Sequence, residues 1–207
     1  MKKLLLLICC LFFTTEIGLA QQTKETVPVI INEIPADKKN KAPTKISDLE
    51  GLAGKSAPIF KTADMNGKEY NLETLRGNVV VVNLWGTFCE PCVQEIPKLN
   101  SLVEKYKDKT VVFLAPAVDG KETLNGFLQK YPFSYQVLPA SFAIIAEYSP
   151  KKKAASAQNG GSFDMILPTH LVIDKNGIVV KHFWGFSKTT DADISSAIDE
   201  LLAAKTQ

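Results

Sequence analysis

Long runs of any one kind are missing from this sequence. No extended basic block appears; the formal net charge is +2, and the densest positive patch is Lys151-Lys152-Lys153. A nucleic-acid surface needs Lys and Arg clustered on one face, so no nucleic-acid partner is expected. That short lysine run reads as a solvated loop. No apolar stretch is long enough to span a bilayer, which takes about 20 apolar residues. Internal repeats are absent. The glycine pattern of a phosphate loop is absent too; Asp119-Gly120-Lys121 reads as a turn and helix start. Cysteine is scarce, with four residues in 207, and histidine scarcer, with two.

What remains is ordinary for a soluble globular protein: 45% apolar and 22% charged residues. The length suits one compact domain with some decoration. The first twenty residues are a different material. Lys2-Lys3 are followed by the charge-free run Leu4 to Phe13 and then by Gly18-Leu19-Ala20. This is the layout of a secretory signal peptide cut after Ala20, which implies an exported, periplasmic protein. Lipidation and anchoring fit less well, because Cys9 and Cys10 lie inside the apolar run and follow Ile8. Cleavage leaves Cys89 and Cys92 as the only cysteines. A bridge across two intervening residues closes a very small loop and stabilises little, so a pair this close points to chemistry.

Residues 21–50 are polar, with Pro28, Pro35 and Pro43, and read as an extension with one short strand over 27–31. The folded domain is expected over 51–207. Strands are expected at Ala57–Lys61, at Glu69-Tyr70 after an Asn66-Gly67 turn, and at Val79–Trp85, buried on both faces. Further strands fall at Thr110–Ala115, Ser134–Leu138, Thr169–Asp174 and Ile178–Phe183. The last two are joined by Asp174-Lys175-Asn176-Gly177, a hairpin signal. Helices are expected at Glu90–Tyr106 with a bend at Pro97, at Lys121–Tyr131, at Ser141–Tyr148, and at Thr190–Ala204 with Ile194, Ile198 and Leu201 on one face. Residues 149–162 read as a loop. Strands alternating with helices imply an α/β fold, a central mixed sheet flanked by helices.

The segment Trp85-Gly86-Thr87-Phe88-Cys89-Glu90-Pro91-Cys92 joins a buried strand to a helix start. Cys89 falls at the positive end of the helix dipole, where a thiolate is favoured. Lowering a thiol pKa from about 8.5 to about 7 raises the thiolate share at neutral pH from a few per cent to about half. Cys92 lies one turn in, sheltered and within reach of a mixed disulfide on Cys89. Thiol–disulfide exchange uses that division of labour.

Several separated words, in order, carry a family resemblance. They are Ala57-Pro58-Ile59-Phe60, Asn66-Gly67-Lys68, Leu75-Arg76-Gly77, Asn83 to Cys92, Glu95-Ile96-Pro97 and Leu167-Pro168-Thr169-His170-Leu171-Val172-Ile173-Asp174. On these the chain resembles the TlpA/ResA-like family of exported thioredoxin-fold proteins, related to the redoxins of AhpC/TSA type. The resemblance implies a thioredoxin fold and dithiol–disulfide exchange. It makes Cys89 the attacking thiol, Cys92 the resolving thiol, Pro168 a cis-proline lying against the disulfide, and Glu95 a carboxylate near the buried thiol. Asn83 stands where ordinary thioredoxins have a buried Asp, so Glu95 is expected to take over proton transfer. Trp85, Phe88, Glu90, Pro91, Leu167 and Thr169 are expected to meet the substrate, with the Leu167 backbone offering an edge for an extended segment. Phe88 departs from the Trp usual at its position. The redox-active disulfide is the only cofactor implied. Implied partners are disulfides of exported proteins and a membrane thiol donor of electrons.

The leading expectation is a reductase of exported disulfides, of the kind that serves cytochrome c maturation. Glu90, between the cysteines, disfavours the Cys89 thiolate and so works against a strong oxidant. An oxidase or isomerase on the same fold is the second reading; couples of this type span about −270 to −120 mV. A peroxidase fits poorly, because Thr87 and Cys89 lack the Pro-x-x-x-Thr-x-x-Cys arrangement of peroxiredoxins. The third reading is Cu(I) or Zn(II) binding by the two thiolates with His170 or His182. A four-ligand zinc site would need both histidines to converge, and no metal ligand is assigned.

Overall fold

The computed structural model describes residues 49–152 and 165–204. The expected signal peptide, nearly all of the 21–50 extension with its strand, and most of the 149–162 loop lie outside the described residues. The element order is β1 (Leu49–Glu50), β2 (Lys61–Ala63), β3 (Glu69–Asn71), β4 (Val79–Leu84), α1 (Glu90–Lys105), β5 (Val111–Pro116), α2 (Lys121–Lys130), β6 (Gln136–Leu138), α3 (Phe142–Tyr148), β7 (Lys151–Lys152), β8 (Thr169–Ile173), β9 (Val179–Trp184) and α4 (Thr190–Ala203).

Four consecutive valines open β4, and β-branched side chains fit a pleated strand packed on both faces. This strand is the centre of a five-stranded sheet of order β6-β5-β4-β8-β9. β5 and β6 run parallel to it; β8 pairs antiparallel with it, and β9 antiparallel with β8. The alternation of β4 sorts the core. Val79, Val81 and Trp85 face a layer built on Cys92, Ile96 and Leu99 of α1, Leu124 of α2 and Ile194 and Ile198 of α4. Val80, Val82 and Leu84 face Phe60, Tyr70 and Leu72 around the β2–β3 hairpin and Ile144, Ile145 and Tyr148 of α3. Each such buried aliphatic side chain contributes about 1.5–3 kcal/mol. On α4, Ile194 and Ile198 are buried as expected and Leu201 is half-buried.

Several local expectations shift. The strand expected over 57–61 begins only at Lys61. Pro58 has no N–H to give a ladder, and this stretch is held at its ends, by the Ala57 N–H to Gly177 O (2.9 Å) and the Leu72 N–H to Phe60 O (3.1 Å). Helix α1 includes Pro97 within its span, as expected. Lys151 and Lys152, expected in a loop, form β7, which pairs antiparallel with β1. A two-residue strand leaves no apolar period to read.

The β8–β9 turn explains its own sequence. Asp174 Oδ1 accepts the N–H of Asn176 (2.9 Å) and of Ile178 (2.7 Å). Gly177 sits at φ +79, and a Cβ there would lie 0.7 Å from Nη1 of Arg76. The positive φ favours glycine here, and the Arg76 guanidinium occupies the space a Cβ would take.

Candidate active site

The site is assembled where β4 ends and α1 begins. The Trp85 N–H reaches Pro116 O (3.2 Å) and the Val118 N–H reaches Trp85 O (3.1 Å), so the strand is pinned to the end of β5. Trp85 is wholly buried. Its indole N–H donates to Ala115 O (3.3 Å), and its ring packs against Phe127 and, edge-on, Phe133. It was expected to meet substrate; with no exposed surface it acts as the floor under the loop.

From that floor the chain turns outward. A Cβ on Gly86 would come within 2.7 Å of the Phe88 ring, which folds back over this glycine while leaving 63% of Phe88 exposed. Thr87 is clamped by Asp119, whose carboxylate accepts the Thr87 N–H (2.7 Å) and hydroxyl (2.9 Å). Cys89 follows as the N-cap of α1, with extended φ/ψ of −88° and 93° and its N–H on Gly86 O (3.1 Å). Pro91, in the first turn, suits a position whose N–H would have no helical partner. Glu90 is exposed and accepts from Gln94 Nε2 (3.3 Å).

Cys89 and Cys92 form a disulfide, with S–S 2.00 Å and Cα–Cα 5.3 Å. The two sulfurs are unequal: Cys89 retains 8% exposure and Cys92 1%. The Leu167–Pro168 peptide is cis. Pro168 O accepts the Gly185 N–H (2.8 Å), which ties this segment to the end of β9. Among the described residues the N–H and C=O of Leu167 have no backbone partner. Thr169, expected to meet substrate, is fully buried, and its hydroxyl donates to Ile166 O (2.7 Å). Its side chain fixes the turn before β8 and offers no face to a partner.

Beneath the disulfide lies a buried polar pair that the sequence reading did not join. Glu95, 4% exposed, places Oε2 3.0 Å from Nε2 of His170, which is wholly buried. Register explains it: His170 on β8 stands opposite Asn83 on β4, and by the alternation of β4 Asn83 points to the α1 face. Glu95 Oε1, His170 Nδ1 and Asn83 Oδ1 have no hydrogen-bond partner among the described residues. The buried Tyr135 hydroxyl is also unpartnered, and burial, then the charge of Glu95, holds its proton more tightly than usual. Polar Asn83 and His170 within otherwise apolar strands were the available signal. On the outer side of Glu95 is a cleft of about 240 Å³, lined also by Lys98, Leu99, Phe186, Thr190 and Asp191.

The other histidine is remote in role. His182 Nδ1 accepts the Leu52 N–H (2.9 Å), and burial lowers its pKa to about 4. Among the described residues no group of three His, Cys, Asp or Glu side chains is arranged to hold a metal ion. Nor is any described helix long and apolar enough to cross a membrane.

Comparison with known proteins agrees with this geometry. Residues 53–182 match the AhpC/TSA family. The thiol-disulfide oxidoreductase ResA of Bacillus cereus is 36% identical over 134 residues, covering 64% of this chain and 69% of that protein. ResA of Geobacillus thermodenitrificans is 33% identical over 148 residues, covering 72% and 77%. A thiol:disulfide interchange protein of the thioredoxin family from Chlorobium tepidum superposes with TM-score 0.57 at 23% identity, covering 72% of this chain and 96% of that one. An exposed lipoprotein thioredoxin of Streptococcus pneumoniae superposes with TM-score 0.54 at 21% identity, covering 70% and 100%. The fold is thus thioredoxin-like, and the chain is a thiol-disulfide oxidoreductase.

Proposed function

We propose that this chain, which belongs to the AhpC/TSA family, is a periplasmic reductase of protein disulfides, exported by a signal peptide cut after Ala20 and acting in cytochrome c maturation. The observation that carries the reading is the unequal pair at the start of α1. Cys89 is the N-cap and keeps some exposure; Cys92 is one turn in and closed off. A reactive thiol at a helix N-terminus and a sheltered one behind it match the attacking and resolving roles.

In the reduced protein the Cys89 thiolate attacks a substrate disulfide and forms a mixed disulfide. Cys92 then loses its proton to Glu95, attacks Cys89 Sγ and expels the substrate thiolate. Two electrons pass to the substrate, and the protein is left with the Cys89–Cys92 disulfide. A membrane thiol donor re-reduces it. Phe88 gives the partner an exposed apolar face, beside Glu90 and Pro91. The backbone of Leu167, without a backbone partner among the described residues, suits an added extended segment, next to Pro168.

Direction follows from charge. Glu90 in the first turn and the Asp119 carboxylate held at Thr87 place two acidic groups around the Cys89 loop. Both oppose a Cys89 thiolate, and so oppose the extreme stabilisation of the reduced form that makes a strong oxidant. The test is the reduction potential of the couple in protein starting at Gln21, equilibrated with dithiothreitol buffers. A value near that of thioredoxin, about −270 mV, is expected; one near about −120 mV would replace the reductase by an oxidase.

A further inference from the structure

We infer that His170 is a positioning residue for the resolving step: its Nε2–H holds Glu95 Oε2 so that Oε1 is the atom that takes the Cys92 proton. The inference rests on the proton-transfer role proposed for Glu95 and adds a second residue to it.

The geometry selects the tautomer. The 3.0 Å contact joins Nε2 to Oε2, while Nδ1 is buried with no partner among the described residues. A proton on Nδ1 would be a buried donor with nothing among the described residues to receive it, and would leave the Nε2 lone pair facing the carboxylate oxygen. With the proton on Nε2, the ring donates to Oε2 and Nδ1 is left as an acceptor. That donor fixes the orientation of the carboxylate. Of the two carboxylate oxygens, Oε2 is then committed and Oε1 is free to be protonated. Cys92 and Glu95 are three residues apart on α1, so their side chains are neighbours.

The step balances. Cys92 S–H gives its proton to Glu95 Oε1. The Cys92 sulfur attacks Cys89 Sγ, the Cys89–substrate S–S bond breaks, and the substrate sulfur leaves with the electron pair. The new bond is the Cys89–Cys92 disulfide. Glu95 returns its proton to solvent through the adjoining cleft. The groups facing Glu95 are Cys92 on its own helix, His170 on β8, Tyr135 ahead of β6, and Lys98, Lys188 and Asp191 around the cleft. Lys98 is engaged with Asp191 (3.1 Å) and with Lys188 O (3.0 Å), and Tyr135 keeps its proton.

The experiment mixes reduced protein rapidly with dithiobis-nitrobenzoate. The first coloured thiolate released reports Cys89 attack, and the second reports resolution by Cys92. Rates are followed from pH 6 to about 9.5, past the ordinary thiol range near 8.5. Below pH 8, Glu95→Gln is expected to slow the second phase about 100-fold and His170→Phe about tenfold, with His170→Gln, which keeps an N–H donor, within about threefold. Above the thiol range the deficits should vanish, because Cys92 ionises without help. If His170→Phe slows resolution equally at every pH, or not at all, while Glu95→Gln shows the pH-dependent deficit, His170 is structural only and this inference fails. If Glu95→Gln shows no such deficit, the reading of Glu95 itself fails, and this one with it. Should His170→Phe not fold, nitrogen NMR of reduced wild-type protein at neutral pH decides: a proton on Nε2 alone is expected, and one on Nδ1 overturns the inference.

Discussion

Asp119 holds Thr87 by two hydrogen bonds from 32 residues away, at 2.7 Å to the backbone N–H and 2.9 Å to the hydroxyl. Thr87 lies two residues before Cys89, so the loop that presents the reactive sulfur is fixed by a carboxylate from the connection between β5 and α2. Removing one partner leaves a part-buried donor unsatisfied, at about 1–3 kcal/mol. Asp119→Ala should lose stability of that order in urea unfolding at neutral pH. It should also shift the potential of the Cys89–Cys92 couple upward, because an acidic group near Cys89 disappears. Unchanged stability and potential would show that the clamp has no role.

The cysteine roles separate in single variants. Cys89→Ser should abolish disulfide reduction, since no accessible nucleophile remains. Cys92→Ser should still attack but accumulate mixed disulfides, visible as a mass increase that dithiothreitol reverses. Normal turnover by Cys89→Ser would remove the proposed mechanism.

Tyr135 invites the opposite kind of prediction. Its hydroxyl is buried without a partner among the described residues, while its ring stacks on Phe133 and meets Phe113. Burying an unpaired hydroxyl is unfavourable, so Tyr135→Phe should leave stability unchanged or raise it by up to about 1 kcal/mol. A loss beyond about 1 kcal/mol would mean that the hydroxyl does have a partner, such as ordered water.

Much of this was legible from sequence, for local reasons. Val79 to Val82 announced β4, and the Asp174–Gly177 turn announced the β8–β9 hairpin. The Cys89–Cys92 spacing, set between a buried strand and a helix, pointed to the chemistry. What stayed hidden depended on register and long-range packing. Glu95 and His170 are 75 residues apart, and their contact exists because β8 pairs with β4 so that His170 stands opposite Asn83. Thr87 and Asp119 meet because Trp85 pairs with Ala117 across the ends of β4 and β5. The depth of Trp85 and Thr169 followed from the same packing, so two residues expected to meet substrate lie inside instead. The β1–β7 pairing had too few residues to leave a pattern.

His182 links the start of the described domain to β9 and makes that link sensitive to acid. Its Nδ1 accepts the Leu52 N–H at 2.9 Å, and Gly51 passes so close that a Cβ would lie 2.7 Å from the same nitrogen. Burial lowers the His182 pKa from 6.5 to about 4, so the folded state favours the neutral ring. The unfolded chain takes up the proton first as pH falls. This contribution to stability is therefore complete above about pH 6.5, declines from there toward pH 4, and changes no further below it. At about 1.4 kcal/mol per pH unit its full size is on the order of 3 kcal/mol. Protonation would also turn Nδ1 into a donor facing the Leu52 N–H. Urea unfolding between pH 7 and 4.5 should show the decline, and His182→Gln should flatten it in part while lowering stability at pH 7. An equal slope in wild type and variant would assign the acid sensitivity to other groups.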